Sequence, residues 1–266
     1  MKRLVIALLV LVGLLVAVDY GAAAAAESAV SRQMRQQLGL ADDPSVRING
    51  FPFLTQAISG DYSSVDVTAE RVRFGELREV EVRAQLRDVQ APLRELLASG
   101  ARTLRVGNAE GTIRISADDL ARLIAGVDKL RIENIDDQAL EEAFQDGGSA
   151  SLTSINPDSA ARLVGTTRVL GQEFEVAVIA VLELSGQQIQ VVPRDIRVGQ
   201  PGSDDPQALP PPVQTALRAL FTLRVDPGTL PLEVTPTRLR ARDGTLEISG
   251  FTSGLVLGSG SSATGR

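Results

Sequence analysis

Carboxylates are the side chains of this sequence that are best suited to chemistry, because the 266-residue chain has no histidine and no cysteine. That composition excludes Ser-His-Asp and Cys-His catalysis, disulfides and cysteine-ligated zinc. Adjacent acid pairs occur at Asp42-Asp43, Asp118-Asp119, Asp136-Asp137, Glu141-Glu142 and Asp204-Asp205. Two carboxylates can act as acid and base when they flank one bond, but neighbouring residues on a helix point apart, and helix starts or polar loops explain most of these pairs. We therefore predict no catalytic residue and no enzyme activity.

Metal, cofactor and nucleic-acid binding are not indicated either. The chain has no Asp-x-Asp-x-Asp-Gly loop of the kind that binds calcium. Its net charge of −6 disfavours nucleic acid as a partner. Arginines at the following positions cluster on two neighbouring candidate strands: Arg71, Arg73, Arg78 and Arg83. Such arginines can bind an anionic headgroup or alternate with glutamates on a solvated sheet face.

The N-terminal segment has the layout of a secretory signal. Lys2-Arg3 precede an apolar run from Leu4 to Val18, and the small residues Ala22 to Ala26 follow. The run has 15 residues, whereas a bilayer-spanning helix needs about 20. It continues past Asp19 into an alanine-rich helix, which we expect to carry apolar residues at a spacing of four, namely Val30, Met34 and Leu38. We favour an uncleaved signal anchor over a cleaved leader, and in both cases the rest of the chain is delivered outside the cytoplasm.

Beyond residue 45 the apolar spacing changes from helical to alternating, as in Val80, Val82, Ala84 and Leu86. This spacing is typical of half-buried antiparallel strands. Short helices are predicted where Ser116 caps a turn, over Ala160 to Val164 after an Asn-Pro-Asp cap, over Asp137 to Gln145, and after Pro212, with Leu220 and Phe221 on the apolar face of the last one. The predicted fold class is α+β: an N-terminal hydrophobic helix followed by a long, curved antiparallel sheet that is packed with amphipathic helices.

One predicted strand is apolar on both faces. Its even-numbered side chains are Phe174, Val176, Val178, Ala180, Leu182 and Leu184, and the odd-numbered Ala177, Ile179 and Val181 are apolar as well. An antiparallel sheet commonly exposes one face to water, so this strand needs a cover on each side. The cover is either protein, with the strand sandwiched between sheet and helix, or an apolar ligand.

A short string before the first long strand carries a family resemblance. It runs Ile48-Asn49-Gly50-Phe51-Pro52-Phe53-Leu54-Thr55-Gln56, with Ser59-Gly60 and Asp61-Tyr62 downstream. With the signal-like helix that bears Asp19, this string resembles the LmeA-like family of actinobacterial envelope proteins, and the likeness in layout extends to about residue 257. The family is associated with binding of phospholipids, including phosphatidylinositol-type lipids, and with maturation of envelope glycolipids. Its expected fold is similar to the tubular lipid-binding proteins.

The signal or anchor occupies residues 1–26, the Gly/Ser-rich tail at 258–266 is predicted to be disordered, and the domain that the resemblance implies lies between them at residues 27–257. The resemblance implies a protein that binds, shuttles or presents phospholipid at the membrane, and the alternative is a ligand-free structural or scaffold protein of the envelope. Acyl chains are held by apolar area alone, so the candidate lipid-binding residues are apolar. They are Phe51, Phe53, Leu54, Phe174, Val176, Val178, Ala180, Leu182, Leu220 and Phe221. The two phenylalanines beside Pro52 either line the mouth of the site or close the end of the core.

Overall fold

A computed structural model of the chain describes most of its length. The described residues are 2–74, 77–91, 103–124, 126–146, 150–169, 172–185, 188–200, 207–208, 223–225, 235–242 and 244–258. The helices are α1 (Lys2–Leu38), α2 (Phe53–Ser59), α3 (Ala117–Leu123) and α4 (Asp137–Gln145), and a 3₁₀ helix follows at Ala150–Ser154. The strands are β1 (Ser45–Asn49), β2 (Asp61–Phe74), β3 (Leu77–Gln90), β4 (Thr103–Ser116), β5 (Val127–Glu133), β6 (Ala160–Val169), β7 (Gln172–Ser185), β8 (Gln188–Gly199), β9 (Gln207–Ala208), β10 (Leu223–Val225), β11 (Thr235–Arg242) and β12 (Thr245–Gly258).

The described strands form two sheets. The first has the order β1-β2-β3-β4-β12-β11, and the second has the order β10-β8-β7-β6-β5, with β9 paired to β8. The α+β prediction, a long apolar helix followed by antiparallel strands and a few helices, is confirmed. The predicted single curved sheet is corrected to two open sheets, because β5 to β8 pair in sequence as a meander that has its own edge strands.

The chain divides into two compact units. Unit 1 contains residues 1–70, 82–111 and 251–266, and unit 2 contains residues 71–81 and 112–250. The domain boundaries predicted at residues 26 and 257 stay predictions.

The predicted helix over residues 160–164 is wrong, whereas the helices predicted after Ser116 and over Asp137–Gln145 are present as α3 and α4. Residues 160–169 form β6, which pairs with β7 without a break from Ala160↔Val181 to Val169↔Gln172. Asn156 does form a capped turn, since its side-chain oxygen accepts the Asp158 N–H at 2.9 Å. The turn ends there, because pairing with both β5 and β7 keeps the next residues extended.

A buried carboxylate in unit 2 joins α3 to β3. Asp119 accepts hydrogen bonds from the backbone N–H groups of Glu79 at 2.7 Å and Arg78 at 3.1 Å, and its own N–H donates to Ser116 Oγ at 3.1 Å. Arg122 completes the arrangement as an ion-pair partner. The acid pair Asp118-Asp119 was expected only to mark the start of a helix. Asp119 also joins that helix to β3, because a buried charge needs hydrogen-bond and ion-pair partners.

The strand β7 lies in the middle of the second sheet, and both of its faces are buried. The even-numbered face contributes Val176, Val178 and Ala180 to a cluster that includes Leu120 of α3 and Leu239 of β11. The odd-numbered face contributes Ile179 and Val181 to a second cluster with Leu140 of α4 and Leu152 of the 3₁₀ helix. The sequence-based expectation that both faces must be covered is confirmed. We call the even-numbered side the inner face and the odd-numbered side the outer face.

Candidate functional site

The inner face of the second sheet is built from rows of side chains that run across neighbouring strands. One row joins Ile132, Leu163, Val178 and Ile196, and the next joins Leu130, Gly165, Val176 and Val198. A third row, nearest the β6–β7 turn, joins Val127, Thr167 and Phe174. Every side chain of the first row is buried, Val198 in the second is half-buried, and all three residues of the third are half-buried. Burial therefore decreases towards Phe174, while Val127 and Phe174 keep the face apolar.

Gly165 gives this face its close packing in the second row. A Cβ atom at Gly165 would lie 3.2 Å from Val127 Cγ1 and 3.6 Å from Leu130 Cδ1. The side chains of these two residues therefore occupy the space above the glycine, and a larger residue there would displace them.

The outer face of β7 is covered by protein where it is apolar. Ala177, Ile179 and Val181 are buried, and α4 packs over the last two. Beside them Arg197 of β8 is buried, donates to Asp195 at 2.8 Å and hydrogen-bonds the Ala143 carbonyl near the end of α4. This arrangement ties the helix to the sheet, so the outer face has a structural role.

Nearer the β6–β7 turn the outer face becomes charged. Arg131 pairs with Glu175 at 3.1 Å, and Arg168 pairs with Glu173 at 2.6 Å. The hydrogen bond that Arg131 donates to Glu175 raises the pKa of Arg131. At the same end of β7 the inner face presents Phe174 and no ion pair among the described contacts. The outer face is thus suited to water there, and the inner face is suited to an apolar contact.

Three of the predicted lipid-binding residues give no information on this site. Leu182 belongs to β7 by its backbone, but its side chain lies outside the described residues, and Leu220 and Phe221 lie outside them altogether. Their proposed roles stay predictions.

The other three predicted residues lie together in unit 1, at the Gly50–Gln56 turn. Gly50 has φ = 110°, and a Cβ atom there would meet Gln56 Nε2 at 2.6 Å, so this position requires glycine. Phe51 and Leu54 are exposed, whereas Phe53 is buried and its ring lies 6.4 Å from that of Tyr62. Burial raises the pKa of Tyr62. Phe53 is thus a core residue, and Phe51 and Leu54 form a surface.

This turn is held by Asp19, a residue in the middle of α1. The Asp19 carboxylate is 5% exposed, and it accepts the Phe53 and Leu54 N–H groups, each at 2.8 Å. These amides begin α2, whose N-cap position is Pro52 and makes no side-chain cap. Asp19 therefore caps α2 from a distant part of the chain.

The packed face of α1 carries polar and small residues. Glu27 accepts the Ile48 N–H at 2.8 Å, and Ser31 Oγ donates to the Pro44 carbonyl at 2.6 Å. With Asp19 and the half-buried Ala23 these residues follow a spacing of four, which places them on one side of the helix. The predicted continuation of the helix through Val30, Met34 and Leu38 is confirmed, but Val30 and Leu38 are exposed and Met34 is half-buried. The face of α1 that packs on the rest of unit 1 is therefore held by the hydrogen bonds of Asp19, Glu27 and Ser31 and not by burial of apolar side chains.

The N-terminal half of α1 is apolar and exposed from Leu4 to Val18, apart from the half-buried Val16. Within the described residues, α1 is the helix that is long and apolar enough to cross a membrane. It continues without a break through residue 26, the end of the alanine stretch that would contain the cleavage site of a leader.

A cleft in unit 2 was missed by the sequence analysis. Its volume is about 600 Å³, which is within the usual range for ligand sites. It has an apolar floor and a charged rim, and its lining includes Ile132, Ile135, Pro157, Ala241, Asp136, Asp137, Asp158, Arg240, Arg242 and Glu247. Asp158 pairs with Arg240 at its edge, with Nε 3.0 Å from Oδ1. The acid pair Asp136-Asp137 was the one sign of this cleft in the sequence. The strand that brings Arg240 and Arg242 to the pair is about a hundred residues farther along the chain, so their proximity could not be predicted.

The lining of this cleft has chemical consequences. Four carboxylates outnumber two guanidinium groups, so it disfavours a bare phosphate and is suited to hydroxyl groups, which donate to carboxylates. Within the described residues, no group of three or more acidic side chains is arranged to hold a metal ion.

The fold and these surfaces define an α+β protein with an exposed apolar helix and an apolar sheet face that is partly open at one end. Comparison with family models identifies the chain further: residues 17–251 match the family described as LmeA-like phospholipid-binding. The chain belongs to this family, and its membership indicates phospholipid binding. Neither the curated proteins nor the solved structures include a match to the chain.

The capping role of Asp19 leads to a stability prediction. Asp19→Ala removes both acceptors of the α2 amides, so we expect the free energy of unfolding in detergent to fall by about 1–2 kcal/mol. Asp19→Asn keeps one oxygen acceptor, so its free energy of unfolding should fall by less than that of Asp19→Ala. Asp43→Ala, which removes only an exposed ion pair with Arg35 at 3.1 Å, is the control and should change stability by less than about 0.5 kcal/mol. Denaturant unfolding followed by circular dichroism measures all three, and equal effects of Asp19→Ala and Asp43→Ala would contradict the cap.

Proposed function

We propose that this protein binds phospholipid with an acyl chain against the inner face of the second sheet, at the rows of Phe174 and Val176. The observation that carries the proposal is the decrease in burial along this face, where Val127 and Phe174 stay apolar and the Thr167 hydroxyl donates to the Gly126 carbonyl at 2.6 Å. Apolar surface that is only half covered gains about 25 cal/mol per Å² when a lipid chain covers it. Val178 and Ala180 lie deeper in the same face, so they would form the packed base of the site.

The headgroup we propose is of the phosphatidylinositol type, and the cleft beside Ile132 supports this choice. Carboxylates such as Asp137 and Glu247 can accept hydrogen bonds from the hydroxyls of a polyol ring, which is the part of such a headgroup that this acidic lining suits. A role in envelope glycolipid maturation, by carrying or presenting such a lipid, belongs to the same proposal.

We also propose that α1 remains attached as a membrane anchor, with both units on the extracytoplasmic side. The support is the contact between Asp19 and α2, since cleavage near residue 26 would remove the cap of a helix in the domain. Positive residues beside a membrane-spanning helix stay on the cytoplasmic side, so Lys2-Arg3 set the orientation.

A ligand-free scaffold protein is the second candidate. The side chains of the inner cluster, including Val178, Ile196 and Leu239, are almost fully buried by one another. Such a core folds without a ligand, and it is the observation that favours this alternative.

Native mass spectrometry of protein purified without added lipid tests the choice. We expect the wild type to carry phospholipid, whose mass gives the headgroup. Phe174→Gln should retain a near-native melting temperature and weaken lipid binding by about three- to tenfold, because a lipid chain would cover the exposed half of a side chain whose full burial contributes about 1.5–3 kcal/mol. Phe144→Gln makes the same change on the exposed surface of α4 and should bind as the wild type does. A lipid-free wild type, or equal binding by both variants, would contradict the proposed site.

The anchor is tested by fractionation and intact mass. We expect the protein in the membrane fraction with the full mass of 28.2 kDa. A mature chain that begins near Glu27 and is free in the medium would show that α1 is a leader, and would leave lipid binding to be judged on its own experiment.

A further inference from the structure

Four large side chains form an exposed apolar surface around α2, which we call the α2 collar. They are Tyr20, Phe51, Leu54 and Ile58, and they are 65%, 61%, 37% and 81% exposed. Leu54 and Ile58 are four residues apart and therefore lie on one side of the short helix, and Phe51 precedes the N-cap residue Pro52. All four belong to unit 1. Exposed apolar surface of this kind marks a contact with a membrane or another protein.

Two contacts fix the collar to one level of α1. The Asp19 carboxylate holds the Phe53 and Leu54 amides at 2.8 Å, and the ring of Tyr20 stacks on that of Phe51 with centroids 6.2 Å apart. Both contacts come directly after Val18, where the apolar run of α1 ends. The collar therefore lies beside the end of the exposed apolar run that is farther from Lys2-Arg3.

The length of the apolar run explains why a membrane would cover this surface. Leu4 to Val18 rises about 22 Å at 1.5 Å per residue, whereas the hydrocarbon core of a bilayer is about 30 Å thick. The collar adds apolar and aromatic area where the run falls short, which reduces the mismatch. Tyrosine at this level is typical of the interfacial belt. Asp19 is compatible with such a position, because two backbone amides satisfy its carboxylate.

We infer that the α2 collar inserts into the interfacial region of the bilayer that α1 spans, so that unit 1 is seated directly on the lipid surface. The inference rests on the proposed anchorage by α1 and assigns the membrane contact to a second element. A bilayer is favoured over a protein partner because the collar is continuous with the apolar helix through the stack of Tyr20 on Phe51.

The absence of tryptophan from the chain makes a direct test possible. Ile58→Trp and, separately, Leu54→Trp place a single reporter on the collar. Leu38→Trp is the control, because Leu38 is exposed in the same unit but lies about 28 Å beyond Asp19 along α1. The full chain of each variant is reconstituted in vesicles of phosphatidylcholine and phosphatidylglycerol, with and without brominated acyl chains, and circular dichroism confirms folding.

We expect bromolipid to quench the collar reporters at least about twofold more than the Leu38 reporter, with blue-shifted emission. Equal quenching of the collar and control reporters would overturn the inference. A collar that contacts a protein partner and not the bilayer would give this result. Lipid that still co-purifies in that case leaves the proposed function intact. Strong quenching of the collar reporters in a protein that carries no lipid would instead support the seating and contradict the proposed binding site.

Discussion

The fold of unit 2 depends on one constraint, which is that β7 is apolar on both faces and must be covered twice. On its inner face Val178 packs with residues of α3 and β11, and on its outer face Ile179 packs under α4. The helix that covers the outer face is held by the buried Arg197. The half-buried surface near Phe174 is where these covers end, so the proposed lipid site follows from the same constraint that builds the core.

Unit 1 depends on a comparable constraint, the burial of a charged group. A buried carboxylate needs hydrogen bonds, and Asp19 obtains them from the first amides of α2. Glu27 and Ser31 extend the same polar face along α1 to β1 and the segment before it. The helix that carries the apolar run is consequently part of the folded unit. The Gly50–Gln56 turn and the exposed collar therefore depend on this contact, and the proposed anchorage rests on it.

Much of this was predictable from local patterns, and the misses have physical causes. Alternation predicted the long strands, the apolar residues on both faces of β7 predicted its double cover, and the capping residue Ser116 predicted α3. Residues 160–164 were predicted as helix because a short apolar run fits either state, and pairing to β5 and β7 decides for a strand. The partner of Asp19 lies 34 residues away, and the cleft joins residues more distant still, so spacing could not reveal either. The relative burial of Phe174 and Val178 likewise depends on strands far along the chain.

The central claim, that an acyl chain lies on the inner face near Phe174, is tested most directly by photocrosslinking. The purified full chain is loaded with a phospholipid that carries a diazirine near the end of one acyl chain, and the labelled peptides are mapped after irradiation. Apart from label on α1, which contacts bulk lipid in any membrane, we predict label in the peptides that contain Val127 of β5, Phe174 of β7 and Val198 of β8. Label confined to α1 and α2 would contradict the claim.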